Sequence, residues 1–149
     1  MNVDVALSRN GERGALAVVS RDHTGFFLGA SALVCESVTD LEILEAMACC
    51  EGLSLALDIN LQQVQISTDC LATVKHIGEA YLGPSKVIMY EIKMKKNMFQ
   101  TMEIIHEKCK CNVEAHVLAK AATSLPCGCH LWLTGTAEII CIPMTVNLQ

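Results

Sequence analysis

Apolar and small residues alternate or run together in three early segments, VDVALS (Val3–Ser8), GALAVVS (Gly14–Ser20) and FFLGASALV (Phe26–Val34), each with the length and content of a strand. Between the last two, Asp22, His23, Thr24 and Gly25 supply turn chemistry, so those segments should pair as an antiparallel hairpin. From Asp40 to about Asn60 the chain is rich in Leu, Ala, Met and Glu and reads as a long helix. QVQISTD, ending at Asp69, is then a short strand, CLATVKHIGEA a helix, and Gly83-Pro84 a break. A further helix spans Ser85 to Phe99, a strand Met102 to Lys108, and a final helix Asn112 to Leu125; after Pro126 the pattern weakens.

Three strands followed by helix, strand, helix, helix, strand and helix make an α/β pattern with a mixed sheet: an antiparallel meander on one side, strands joined by helical crossovers on the other. Residues 1–125 are expected to form one domain. Residues 126–149 form a tail that either packs back on it or is a loose end. No internal repeat, low-complexity stretch or linker divides the chain.

With 149 residues, 52% hydrophobic and 18% charged, the chain can close one well-filled core and lacks the signature of disorder. No apolar run reaches the roughly 18 residues of a membrane span, and MNVDVALSRNGERG lacks the regions of a secretory signal. The expectation is an intracellular protein of nucleus or cytoplasm, not secreted, with no membrane partner and a monomer as the default state. An odd count of nine cysteines, with Cys49 and Cys50 adjacent in a helix, argues against a disulfide framework. Cys109/Cys111 and Cys127/Cys129, with His116 and His130, invite a zinc reading; structural zinc sites more often use wider spacing, so reduced thiols as small apolar fillers are preferred.

The net charge of −5 argues against a nucleic-acid partner, but six cations fall in one span (Lys86, Lys93, Lys95, Lys96, Lys108, Lys110), three of them in KMKK. From charge patterning alone that span is either a solvated helix face or a phosphate-tracking surface.

Three acids stand in unusual places. Glu45 lies off the polar stripe Glu51, Ser54, Asp58, and its same-face neighbours are Leu41, Ala48, Cys49 and Gly52. Either its head reaches water at the helix rim, or it is paired, protonated or metal-bound. Asp69 closes a strand immediately before a helix, as an N-cap would. Asp4 shares a strand face with Asn2, Ala6 and Ser8. If the first strand is central and the strand ending in Asp69 is its parallel neighbour, the three carboxylates converge. Such a group is normally stabilised by a hard divalent cation such as Mg²⁺, and the usual work of such a site is phosphoryl transfer. No phosphate-cradling Gly-rich loop, H-E-x-x-H or G-x-S-x-G motif competes, and no small-molecule cofactor is called for.

Asp4 on strand one, Glu45 in the first long helix, STDC at the end of strand four and N-x-x-A-x-x-L-A-K in the last helix together resemble the type 1 ribonuclease H family. RDHTGFFLGA, LEAMACCEGLSLA, ISTDC and NVEAHVLAKAA narrow the likeness to plant ribonuclease H-like domains related to retroelement reverse transcriptases. The resemblance runs from Asn2 to about Leu125. It implies a ribonuclease H-like fold, with a five-stranded mixed sheet of order 3-2-1-4-5 flanked by helices. It also implies a two-metal Mg²⁺ site held by Asp4, Glu45 and Asp69, cutting the RNA strand of RNA/DNA hybrids. The family's mobile histidine falls on His106, and Lys93, Lys95, Lys96 and Asn112 become candidate nucleic-acid contacts.

The family's fourth acid, in the last helix, is His116 here. Neutral imidazole is a poorer Mg²⁺ ligand than carboxylate, and the positive opening turn of a helix disfavours its protonated form. The expectation is a neutral, weakly coordinating His116 and a preference for Mn²⁺. Three functions follow: an RNA/DNA-hybrid endonuclease, a degenerate binder of hybrid or structured RNA, or an interaction module with neither activity.

Overall fold

The computed structural model describes residues 1–133, and the rest of the expected tail, 134–149, lies outside the described residues. Three strands open the chain: β1 (Asn2–Leu7), β2 (Arg13–Arg21) and β3 (Phe27–Glu36). Then follow α1 (Leu41–Asp58), β4 (Gln63–Thr68), α2 (Leu71–Ile77), α3 (Lys86–Lys96), β5 (Thr101–His106), α4 (Val113–Ala122) and β6 (Gly128–Leu133). The sheet order is β5-β4-β1-β2-β3-β6; the neighbouring pairs β1·β4 and β4·β5 are parallel, and β1·β2, β2·β3 and β3·β6 are antiparallel. This keeps the expected 3-2-1-4-5 arrangement and corrects the strand count to six. The tail contributes β6, paired to the free edge of β3 from Val34↔Gly128 to Gly29↔Leu133. β6 turns only His130 and Trp132 half inward, so its sequence lacks the apolar alternation of an inner strand.

β2 is buried along almost its whole length because both faces are covered. Leu16 and Val18 meet Val3, Leu53 and Ile66 under α1, while Ala17 and Val19 meet Ala115, Leu118 and Ala119 of α4. α1 is wrapped by the sheet on one side and α3 on the other, which is why its apolar residues extend nearly all round. It approaches closely at Gly52, where an added Cβ would lie 3.0 Å from Ile66 Cδ1. The Asp40 carboxylate starts α1 by accepting from the Glu42 and Ile43 amides at 2.9 and 3.3 Å. Asn60, at φ 58°, ends the turn beyond it.

The RDHTG turn forms as expected: Asp22 accepts from the Thr24 and Phe26 amides, and Gly25 supplies the positive φ. α4 stops at Ala122, short of Leu125, where the Arg13 guanidinium takes up the carbonyls of Thr123 (3.0 Å) and Leu125 (2.5 Å). Among the described residues no helix is long and apolar enough to cross a membrane.

Candidate metal centre

The parallel register Asn2↔Ser67 carries Asp4, two residues further along β1, to the level of Asp69 just past the end of β4. α1 crosses this face of the sheet with Glu45 in its second turn. One carboxylate oxygen from each of Asp4, Glu45 and Asp69 lies within 4.8 Å of the others, the three-acid convergence expected from their strand and helix positions. Asp69 is not the helix cap: that position is Cys70, with no side-chain capping bond.

Thr68 holds the group in place. Its buried hydroxyl donates to Glu45 Oε2 at 3.3 Å and accepts from the Cys70 amide at 3.1 Å, tying the helical acid to the strand end. Burial, reinforced by the charges of Asp69 and Asp4, pushes the Glu45 carboxyl up to about 8. The Asp4 carboxyl is also raised, chiefly by burial, against the opposing hydrogen bonds from the Val5 amide and His116. Three oxygen donors that destabilise one another's charge, in a half-enclosed site, are the donor set a hard divalent cation fits.

His116 stands one turn inside α4, with its Nδ1 2.8 Å from Asp4 Oδ2 and its side chain 54% exposed. In the Nδ1–H tautomer it donates to Asp4. That contact engages Nδ1 with a carboxylate of the cluster and leaves Nε2 as the ring's other nitrogen.

A cleft of about 440 Å³ opens over the three acids, with His116 and Lys110 at its wall and Val5, Leu41 and Val113 as apolar lining. Neither Thr68 nor Lys110 is marked as a site residue by the sequence alone. Lys110 already stood in the basic span, but its place at the cleft depends on the short 3-10 turn Cys109–Cys111, which periodicity does not reveal.

The other candidates lie elsewhere. His106 ends β5 in register with Thr68, exposed and outside the cleft lining. Asn112 is buried and donates to the Val3 carbonyl, so its side chain ties α4 to β1 and offers no accessible surface for a phosphate. Lys93 and Lys95 both sit on α3: Lys93 is exposed and donates to the Glu79 carbonyl, while Lys95 reaches α1, donating to Ser54 Oγ and pairing with Glu91, both at 2.8 Å. Lys96 is exposed on the same helix. Among the described residues no cysteine–histidine group converges as a zinc site would require; the three acids are the convergent set.

The model of the family described as "Reverse transcriptase-like" matches residues 2–122. No curated protein sequence matches the chain significantly. Among solved structures, the chain is similar to RNase H1 from the halophilic archaeon Halobacterium salinarum NRC-1. That match has 16% identity and a TM-score of 0.72, covering 82% of this chain and 93% of that one. LC11-RNase H1, isolated from compost by a metagenomic approach and solved in complex with an RNA/DNA hybrid, matches at 19% identity and TM-score 0.66, over 77% of this chain and 88% of that one. The foamy viral protease-reverse transcriptase in complex with dsDNA matches at 14% identity and TM-score 0.64, over 83% and 90%. At such identities the likeness shows a shared ribonuclease H-like fold.

Proposed function

The chain belongs to the reverse transcriptase-like family, and from that premise we propose that it is a metal-dependent endonuclease hydrolysing the RNA strand of RNA/DNA hybrids. The observation that carries this reading is the meeting of Asp4, Glu45 and Asp69, from β1, α1 and the end of β4, in one cleft. Mg²⁺ or Mn²⁺ held by these acids would supply Lewis acidity for phosphodiester hydrolysis, in which a water oxygen bonds to phosphorus as a bridging P–O bond breaks. Thr68 keeps Glu45 aimed at the site, and Lys110 at the cleft wall offers a cation to a backbone phosphate. Lys96 and Lys93 on α3 add positive charge beyond the cleft.

One observation favours a second reading. His116 occupies the place of the fourth acid and binds Asp4, which removes a negative charge from the site and engages one oxygen of a ligand. A protein that binds hybrid without cutting it would have these properties. Cleavage of a labelled RNA/DNA hybrid in Mg²⁺ and separately in Mn²⁺, beside Asp69→Asn, separates the two. Cleavage abolished by the substitution supports the nuclease; retained binding without cleavage in either metal supports the binder.

A further inference from the structure

Another concavity, of about 730 Å³, lies away from the acids, between the β1–β2 turn and the C-terminal end of α4. Its lining includes Arg9, Arg13 and Lys120 with the hydroxyls of Ser8, Thr123 and Ser124, and no carboxylate. On a chain of net charge −5, three of eleven cations gathered in one acid-free cleft depart from the average surface.

Their roles differ. Arg13 is fixed: its guanidinium binds the Thr123 and Leu125 carbonyls just past α4, cancelling the partial negative charge that a helix C-terminus presents. That leaves the cleft floor positive. Arg9 and Lys120 are exposed and, among the described residues, make no ion pair. Glu12, the nearest acid along the turn, accepts from Asn10 and lines a neighbouring concavity instead.

The cleft is also in line with the metal centre. Lys120 follows His116 by four residues, on the same stripe of α4, and Ser8 follows Asp4 by four, one residue past the end of β1. At about 3.3 Å per residue, Ser8 lies on the order of 13 Å beyond Asp4. This is a few steps of a nucleic-acid strand, at about 3.4 Å of axis per phosphate.

We propose that Arg9 and Lys120, over the fixed charge of Arg13, form a phosphate-binding cleft that holds the nucleic-acid backbone a few nucleotides away from the carboxylate site. This rests on the hybrid-binding reading above, and one experiment separates the two. The affinity of the full chain for a fluorescently labelled RNA/DNA hybrid is measured by anisotropy in EDTA, from about 50 to 200 mM salt. R9A/K120A is compared with K75A/K86A, which removes the same charge elsewhere on exposed positions. The expected result is about tenfold weaker binding for R9A/K120A, with a log–log salt slope shallower by about two, one for each phosphate contact removed, and a much smaller loss for K75A/K86A. Unchanged binding by R9A/K120A, or equal loss by both variants, overturns the cleft while leaving hybrid binding intact. Absence of hybrid binding by the unsubstituted protein at low salt overturns the functional reading and the cleft together.

Discussion

His116 Nδ1 lies 2.8 Å from Asp4 Oδ2, so the residue in the fourth acidic place acts on the cluster through one of its carboxylates. An acid there would repel Asp4 and raise the demand for a cation; the imidazole instead satisfies an Asp4 lone pair. The contact stabilises the metal-free site at the expense of its pull on metal.

His116→Asp is therefore expected to raise both divalent-metal affinity and hybrid cleavage, by roughly 10- to 100-fold. Calorimetric titration with Mg²⁺ and a gel cleavage assay would read the two quantities. The unsubstituted protein should work better in Mn²⁺ than in Mg²⁺, and the variant should narrow that ratio. An H116D protein with unchanged affinity and rate would show that this position has no influence on the site.

The raised Glu45 carboxyl makes a prediction about stability. Its folded value is about 8 against an ordinary 4.5. As pH rises, the unfolded chain releases this proton first, so the metal-free fold loses stability between about pH 4.5 and 8 and carries the full penalty above that range. In EDTA, Glu45→Gln should be the more stable protein at pH 9, by on the order of 2 kcal/mol, with a higher Tm, and the advantage should vanish near pH 4. Thermal melts across that range check the sign; an E45Q protein less stable at pH 9 would refute it. Divalent metal should erase the advantage by stabilising only the carboxylate form.

Much of this arrangement was legible in the residues. β2 reads as a run of apolar and small residues because both its faces are covered, and Glu45 stands out because its helical neighbours are Leu41, Ala48, Cys49 and Gly52. β6 was illegible because an edge strand with only His130 and Trp132 half inward carries no period-2 apolar signal. The partner of Asn112 was illegible for another reason: its place at the start of α4 does not show that its amide reaches across to the Val3 carbonyl. Thr68 was hidden because a hydroxyl at a strand end is ordinary β composition until the helix above it is placed.

Thr68→Val keeps the shape of the strand end and removes the bond to Glu45. Metal affinity should fall by about tenfold, as for loss of a group that orients a ligand. Both the Glu45 oxygen and the Cys70 amide lose a partner, so a stability loss of about 1–2 kcal/mol should accompany it. Thr68→Ser, which retains the hydroxyl, should recover most of the metal affinity. Equal affinities for the Val and Ser variants would mean Glu45 is positioned by packing alone.

Asn112 separates a binding role from a structural one. Its side chain is buried, its Nδ2 donates to Val3 O, and the Asn2 amide answers by donating to the Cys111 carbonyl at 2.8 Å, so two bonds of opposite direction pin the start of α4 to β1. Asn112→Ala leaves the Val3 carbonyl without this donor and opens a small void, at a cost of about 1–3 kcal/mol. Because α4 carries His116 and β1 carries Asp4, loosening this junction should also weaken the 2.8 Å contact between them. Denaturant unfolding should thus show a lower midpoint, while hybrid affinity measured well below that midpoint, in EDTA, should change little. A variant that keeps its unfolding midpoint and loses hybrid affinity would return Asn112 to the nucleic-acid surface.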